Sequence, residues 1–198
     1  MNGIILAGGR SRRLGTDKTV LEIGGRRLIE VVLDIVAAVA HDVIIVTNSP
    51  HLFESLPARL TGDVQPGTGP LGGILSGLLV SDDSHSLVVA CDMPFLNLDL
   101  LIHMRQCADG CDVVMPRLAS YFEPLHAIYS KACIEPIQSL LADNNFKIID
   151  LLDQARVRYL DEPEIDRFDP ERMTFFNINT REDLEKARRE FARRSKKD

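Results

Sequence analysis

Cysteine is sparse in this sequence and never grouped. Four are present, Cys91, Cys107, Cys111 and Cys133, and no two stand at the C-x-x-C spacing of a zinc ribbon or a redox pair. Cys107 and Cys111 are four apart, but without a second pair or a histidine at matching spacing they are expected to be structural thiols. The start of the chain has no basic segment leading into a long apolar one, so reduced thiols and a cytoplasmic location are expected. No apolar run approaches the ~20 residues of a membrane span, which argues against a membrane role. Positive charge is in deficit as well. Lys and Arg number 23 against 29 Asp and Glu, a formal net charge of −6. Non-specific nucleic-acid binding needs a basic surface to replace counterions, so nucleic acid is not an expected partner and any basic site must be local. Repeats and linkers are also missing. A length of 198 residues is enough for one α/β domain with a full core and leaves a second one cramped. Residues 1–198 are therefore expected to form a single domain. Its cation-rich tail, about 188–198, suits a solvated helix end, where positive charge complements the dipole.

What is present begins with Ile4-Ile5-Leu6-Ala7-Gly8-Gly9-Arg10-Ser11-Arg12-Arg13-Leu14-Gly15-Thr16-Asp17-Lys18, an apolar run that breaks into glycines and then cations. It reads as a strand feeding a phosphate-binding loop. Glycines let backbone N–H groups approach anionic oxygen where a Cβ would collide, and Arg13 and Lys18 would supply counter-charge. Two commoner nucleotide motifs do not fit. The dinucleotide fingerprint wants a glycine five positions after Gly8, where Arg13 stands. The P-loop wants four residues between its glycines and then a lysine, but Gly9 and Gly15 enclose five and Thr16 follows.

The stretch resembles L-A-G-G-x-S-x-R-[ML]-G-x-D-K, the N-terminal signature of the nucleotidyltransferase superfamily in the form found in molybdenum cofactor guanylyltransferases. Further blocks resemble that family in the same order. Asp63-Val64-Gln65-Pro66-Gly67-Thr68-Gly69-Pro70-Leu71-Gly72-Gly73-Ile74 is similar to its base and ribose loop, and Cys91-Asp92-Met93-Pro94-Phe95 to its magnesium block. Glu123-Pro124-Leu125-His126-Ala127-Ile128-Tyr129 resembles the strand on its pterin side. Phe175-Phe176-Asn177-Ile178-Asn179-Thr180 resembles its C-terminal F-x-N-[IV]-N-T block, which continues with Arg181 where the family has proline.

The pattern of elements is that of an α/β chain. A largely buried helix is predicted over Leu28 to Val36 and a strand buried on both faces over Asp42 to Asn48. Strand, helix and strand at this length imply a right-handed βαβ unit and a parallel sheet. Pro70 suits the first turn of a helix ending near Leu79. Leu87 to Cys91 is a buried strand, Asn97 the N-cap of a helix to about Cys107, and Cys111 to Pro116 a short strand. Glu123 to Tyr129 alternates like a strand. Helical patterns follow at Lys131 to Leu141 and Lys147 to Gln154, with a weak strand at Val157 to Leu160. A last short strand, Phe175 to Ile178, enters a helix with Thr180 as N-cap and Asp183 closing a capping-box variant. The fold class expected is a three-layer α/β/α Rossmann-like nucleotidyltransferase fold with a mostly parallel central sheet.

The resemblance implies transfer of GMP from GTP to molybdopterin, with Mg²⁺ as cofactor. Molybdenum-insertion proteins and molybdoenzyme chaperones are the macromolecular partners it brings into view. It assigns catalysis to Arg13, Lys18 and Asp92, and nucleotide binding to Leu6, Ala7, Gly8, Gly9, Lys18, Asn48, Asp63, Gly72 and Asp92. Glu123 and His126 fall on the pterin side, and Asp92 with Asn179, or Asn177, at the metal. Residue chemistry keeps local readings open beside these. Asp63 could simply form a turn, and His126 could be a satisfied structural histidine. Glycines within a helix cost about 1 kcal/mol each, so Gly72 and Gly73 call for a reason such as close ligand approach. The same fold could use CTP or a sugar phosphate, or only bind GTP and carry molybdopterin. No Ser-His-Asp or Cys-His set is needed, because the attacking phosphate is already anionic.

Overall fold

A computed structural model describes residues 1–8, 21–119 and 121–194. The chain enters as β1 (Asn2–Leu6), whose five residues are all buried. Gly3 lets a helix lie directly on this strand, since a Cβ there would run into Val36 Cγ1. A short antiparallel hairpin follows, β2 (Glu22–Ile23) and β3 (Arg26–Arg27), turning through Gly24 and Gly25 at φ +58° and +77°. Positive φ at both central residues is what the tightest hairpin turn demands, and glycine supplies it without strain.

Helix α1 (Leu28–Val39) starts where Glu30 folds back on Arg27, accepting its backbone N–H at 3.0 Å and its Nε at 2.8 Å. The helix leads to β4 (Val43–Val46), then β5 (Arg59–Thr61) and α2 (Gly69–Val80), which has Pro70 in its first turn. Next come β6 (His85–Ala90) and α3 (Leu98–Gln106), whose cap is the predicted one: Asn97 Oδ1 accepts the Leu100 N–H at 2.9 Å. The second half consists of β7 (Val113–Leu118), β8 (Tyr121–Phe122), β9 (His126–Ser130), α4 (Ile134–Ala142), β10 (Val157–Asp161), the single turn α5 (Glu162–Ile165) and α6 (Arg181–Arg194).

Among the described residues one sheet runs β10-β7-β9-β6-β1-β4-β5, with β8 paired to β7. It is mostly parallel, as expected. The exceptions are β9, antiparallel to both β6 and β7, and the small β8 hairpin. Neighbouring strands end flush, Leu6 lying opposite both Val46 and Ala90. One apolar core covers the face carrying α1 and α3, and another the face carrying α2 and α4. A third, smaller core joins the β2–β3 hairpin to α6 through Ile23, Leu28, Ile178 and Ala187. No helix among the described residues is long and apolar enough to cross a membrane.

Three elements differ from the sequence reading. The strand predicted from Glu123 begins at His126, because Glu123 to Leu125 form a turn in which the Glu123 carbonyl accepts the His126 N–H at 3.0 Å. Pro124 cannot donate to a ladder, which disfavours a regular strand there. The helix predicted over Lys147 to Gln154 is a 3₁₀ run, Ile148–Gln154. The strand predicted over Phe175 to Ile178 does not form: Met173–Phe175 is a 3₁₀ turn, Phe176 is extended, and residues 176–179 pair with no strand of the sheet. The helix after it starts as expected, with Asp183 N–H donating to Thr180 Oγ1 at 3.1 Å and Thr180 N–H to Asp183 Oδ2 at 2.8 Å.

Candidate active site

The C-terminal ends of β1, β4, β5 and β6 make one edge, the edge at which open α/β sheets bind ligands. Main-chain bonds hold it together beyond the ladders. Ala7 N–H donates to the Val46 carbonyl at 2.9 Å, Thr47 N–H to Thr61 at 2.8 Å, and Cys91 N–H to Leu6 at 3.2 Å. Ala7, buried, and Gly8, exposed, thereby leave β1 beside the strand end that carries Asp92. Gly9, Arg13 and Lys18 lie outside the described residues.

Asp92 is half-buried just past β6, and its carbonyl accepts the Ile178 N–H at 3.0 Å. This bond draws Asn177 and Asn179, which flank Ile178, onto the same edge. Asn179 is exposed, while Asn177 is half-buried with Nδ2 donating to the Phe175 carbonyl at 3.0 Å. A carboxylate and side-chain amide oxygens are hard donors of the kind Mg²⁺ takes, usually few in number and supplemented by water. The donor chemistry fits.

The loop between β5 and α2 sits beside β4. Asp63 N–H donates to Asn48 Oδ1 at 3.1 Å, so the two residues share one wall of the edge. Asp63 also closes a local turn, its Oδ1 accepting the Gln65 N–H at 3.1 Å and the Ser76 hydroxyl at 3.4 Å. Ser76 Oγ in turn accepts the Val64 N–H at 3.0 Å and is itself tied to the Gly72 carbonyl at 2.7 Å. Sequence reading missed Ser76, although a serine four residues after Gly72 in an apolar helix is a usable signal. The helix glycines have packing reasons. A Cβ on Gly72 would collide with Thr68 Oγ1, itself bonded to the Gln65 carbonyl at 2.6 Å, and come within 3.1 Å of Asp63 Oδ1. Gly73 and Gly77 let α2 lie against Leu6 and Ile4 of β1.

On the other side of β6, Ala90 N–H donates to the Leu125 carbonyl at 3.1 Å, which brings the turn carrying Glu123 to the same end of the sheet. Burial pushes the Glu123 carboxyl up to about 7. His126 is 0% exposed and cannot touch a ligand directly in this arrangement. Its Nε2 lies 2.8 Å from Thr174 Oγ1, its ring meets Phe175 edge-on at 4.9 Å, and burial draws its pKa down to about 4. Thr174 is fixed in turn by its N–H to Asp169 Oδ2 at 2.7 Å, and its hydroxyl oxygen accepts the Asn97 N–H at 3.0 Å. The histidine therefore pins the segment that leads to Asn177 and Asn179. Asp169 carried no signal in the sequence, and Thr174, although it stands directly before Phe175, lies outside the motif of that block.

Known proteins similar to this chain identify its family. Residues 3–157 match the profile of the MobA-like NTP transferase domain. A molybdenum cofactor guanylyltransferase of Desulfosudis oleivorans is 38% identical over 189 residues, covering 94% of this chain and 94% of the relative. Another, of Syntrophotalea carbinolica, is 35% identical over 191 residues, covering 96% and 91%. Among solved structures, molybdopterin-guanine dinucleotide biosynthesis protein A from Archaeoglobus fulgidus superposes with a TM-score of 0.86 at 30% identity, covering 98% of this chain and all of the other. The chain belongs to the MobA-like NTP transferase domain family.

Proposed function

We propose that the protein transfers GMP from GTP to molybdopterin, making the guanine dinucleotide form of the cofactor and pyrophosphate. The observation that carries this reading is the bonding around Asp92: Cys91 N–H to Leu6 on one side and Ile178 N–H to the Asp92 carbonyl on the other. Through it, Asp92 is tied to the segment that carries the asparagine pair, and its neighbour Cys91 to the end of β1 beside Ala7 and Gly8. The curated relatives of nearly the same length, named for this activity, support it further.

In the reaction, a terminal phosphate oxygen of molybdopterin attacks the α-phosphorus of GTP, and the bond to the β-phosphate oxygen breaks. The nucleophile is already anionic, so the barrier lies in bringing two polyanions together and in neutralising the leaving pyrophosphate. Backbone amides at Gly8 and Gly9 would receive phosphate oxygens, with Arg13 and Lys18 as counter-charges, while Ala7, whose own N–H is taken by the Val46 carbonyl, would line the site without donating. Asp92 and Asn179 would hold Mg²⁺, which supplies positive charge to the phosphate oxygens when bound. Asn48, Asp63 and Gly72 form the wall for the base and ribose. On the pterin side Glu123 would face the second substrate, and His126 acts behind it as a positioning residue. We place the reaction in the cytoplasm, where unbridged thiols persist.

The test is pyrophosphate release with molybdopterin and Mg²⁺, comparing GTP with CTP and ATP. Release that depends on molybdopterin and prefers GTP is expected. A preference for CTP would make the product the cytosine dinucleotide, and GTP binding without release would leave a carrier.

A further inference from the structure

On the face of the sheet that carries α3, α3 and α5 bring together donors that the proposed nucleotidyl transfer does not use. His103 and Cys107 are four residues apart, a spacing that puts side chains on one helical face. Glu164 of α5 reaches the same point. His103 Nε2 is 2.7 Å from Glu164 Oε1 and 3.8 Å from Cys107 Sγ, and the three donor atoms lie within 4.8 Å of one another. All three residues are half-buried. The sequence reading sought a histidine matched to Cys107 and Cys111 and overlooked His103, because the third donor comes from a distant turn.

The surroundings hold the set in place. The His103 ring stacks on Phe168, 4.8 Å between centroids at 28°. Glu164 is gripped by Arg158, whose Nη2 donates to Oε1 at 2.8 Å and Oε2 at 2.9 Å. A Cys-His-Glu group invites comparison with a nucleophile relay, but a relay uses both ring nitrogens, one toward the acid and the other toward the nucleophile. Here a single nitrogen, Nε2, faces both the thiol and the carboxylate. Convergence of three donors on one point is the arrangement of a metal site.

We propose that His103, Cys107 and Glu164 bind a thiophilic divalent cation of the Zn²⁺ type, with water as a fourth ligand. Bonds of about 2.0–2.3 Å in a tetrahedron put neighbouring donor atoms roughly 3.3–3.8 Å apart. The Cys107–His103 separation already lies in that range, and the His103–Glu164 pair has to open by less than about 1 Å once the ion replaces their shared proton. The thiol and the imidazole nitrogen each bind without a proton, so loading releases hydrogen ions. The divalent ion balances the thiolate and carboxylate charges, and Arg158 adds a further positive charge at Glu164. The thiolate excludes Mg²⁺, which prefers oxygen, and so separates this site chemically from Asp92.

The experiment uses the full chain after chelator treatment, in excess Mg²⁺ to occupy oxygen sites, titrated with Zn²⁺ against a chromophoric chelator. One equivalent should bind, and Co²⁺ in its place should give a thiolate-to-metal charge-transfer band with tetrahedral visible intensity. Cys107→Ser should abolish the band and weaken Zn²⁺ by roughly 100-fold or more, beyond the 10–100-fold typical of outer-shell losses. His103→Gln should weaken it similarly, while Cys111→Ser should retain both band and affinity. Circular dichroism confirms that each variant is folded. No Zn²⁺ binding by the native chain would overturn the proposal, as would binding that survives Cys107→Ser and His103→Gln unchanged.

Discussion

His126 Nε2 and Thr174 Oγ1 are 2.8 Å apart in a site closed to solvent, which joins strand β9 to the segment that precedes the asparagine pair. The ring is neutral there, drawn down to about 4 by burial. On unfolding it returns to about 6.5 and takes up a proton in between. The folded state therefore loses stability as pH falls from 6.5 toward 4 and keeps all of it above 6.5, a difference of about 3 kcal/mol at most. Glu123 works in the opposite sense. Its carboxyl is raised to about 7 from 4.5, so its contribution is complete below 4.5 and disappears as pH rises through 7. Glu123 is also partly solvated, which weakens its share. Urea unfolding at pH 4.5, 6.5 and 8 separates the two. Glu123→Gln should gain stability from 4.5 to 6.5 and then level off, whereas His126→Gln should lose stability across 4.5 to 7. A Glu123→Gln protein with no pH dependence below 6.5 would show that the imidazole is not held neutral.

Asp92→Asn tests the strand-end carboxylate. The bond from Ile178 N–H goes to the Asp92 main-chain carbonyl, so the substitution keeps this tie and removes the side chain's charge. Turnover at saturating Mg²⁺ should drop by about 10²-fold or more, the usual scale for losing an electrostatic group at such a centre. The thermal midpoint should move little. Retention of more than about a tenth of the wild-type kcat would mean that another group carries the metal.

Asp63 is better probed by asparagine than by alanine. Its Oδ1 closes the turn at Gln65 and meets Ser76, and an asparagine oxygen can do the same. The second oxygen has no hydrogen bond among the described residues. A carboxylate can accept the N1–H and 2-amino donors of guanine side by side, but an amide presents a donor to one of them. Asp63→Asn should thus keep its stability while the ratio of kcat/KM for GTP over ATP falls about tenfold, in line with ~1–3 kcal/mol for a base contact. If the ratio is unchanged while Asp63→Ala only loosens the fold, the aspartate is a turn residue, and selection passes to the backbone near Ala7 or to Asn48.

Much of this layout was legible because the decisive signals are local. Apolar runs bounded by glycine and proline marked β1, β4 and β6. Asn97 and Thr180 marked two helix starts through side chains that cap within a few residues. What escaped depends on contacts between remote segments. β5 is three residues long and owes its existence to pairing with β4. The stretch Phe175 to Ile178 has strand composition, yet it is held by Asp92 and Thr174 rather than by a ladder. The reason for Gly73 and Gly77 in α2 was also invisible, since it lies in the side chains of β1.

That last relationship makes a sharp test of packing. A Cβ on Gly77 would stand 2.6 Å from Ile4 Cγ2 and 2.8 Å from Cδ1, and Ile4 is fully buried with nowhere to move. On Gly73 the nearest atom is Leu6 Cδ2 at 3.3 Å, at the rim of the nucleotide edge, where a shift of a few tenths of an ångström is possible. Replacing glycine by alanine in a helix gains about 1 kcal/mol of propensity. Overpacking a closed core costs typically 1–3 kcal/mol. For Gly77→Ala the second effect wins, and a net loss of about 1–2 kcal/mol is expected by urea unfolding. Gly73→Ala should come out near zero or slightly stabilised, but with KM for GTP raised if Leu6 shifts against the base wall. Equal stability changes in the two variants would mean that α2 slides on β1 as a body, and that the close contact at Gly77 does not set the distance between helix and strand.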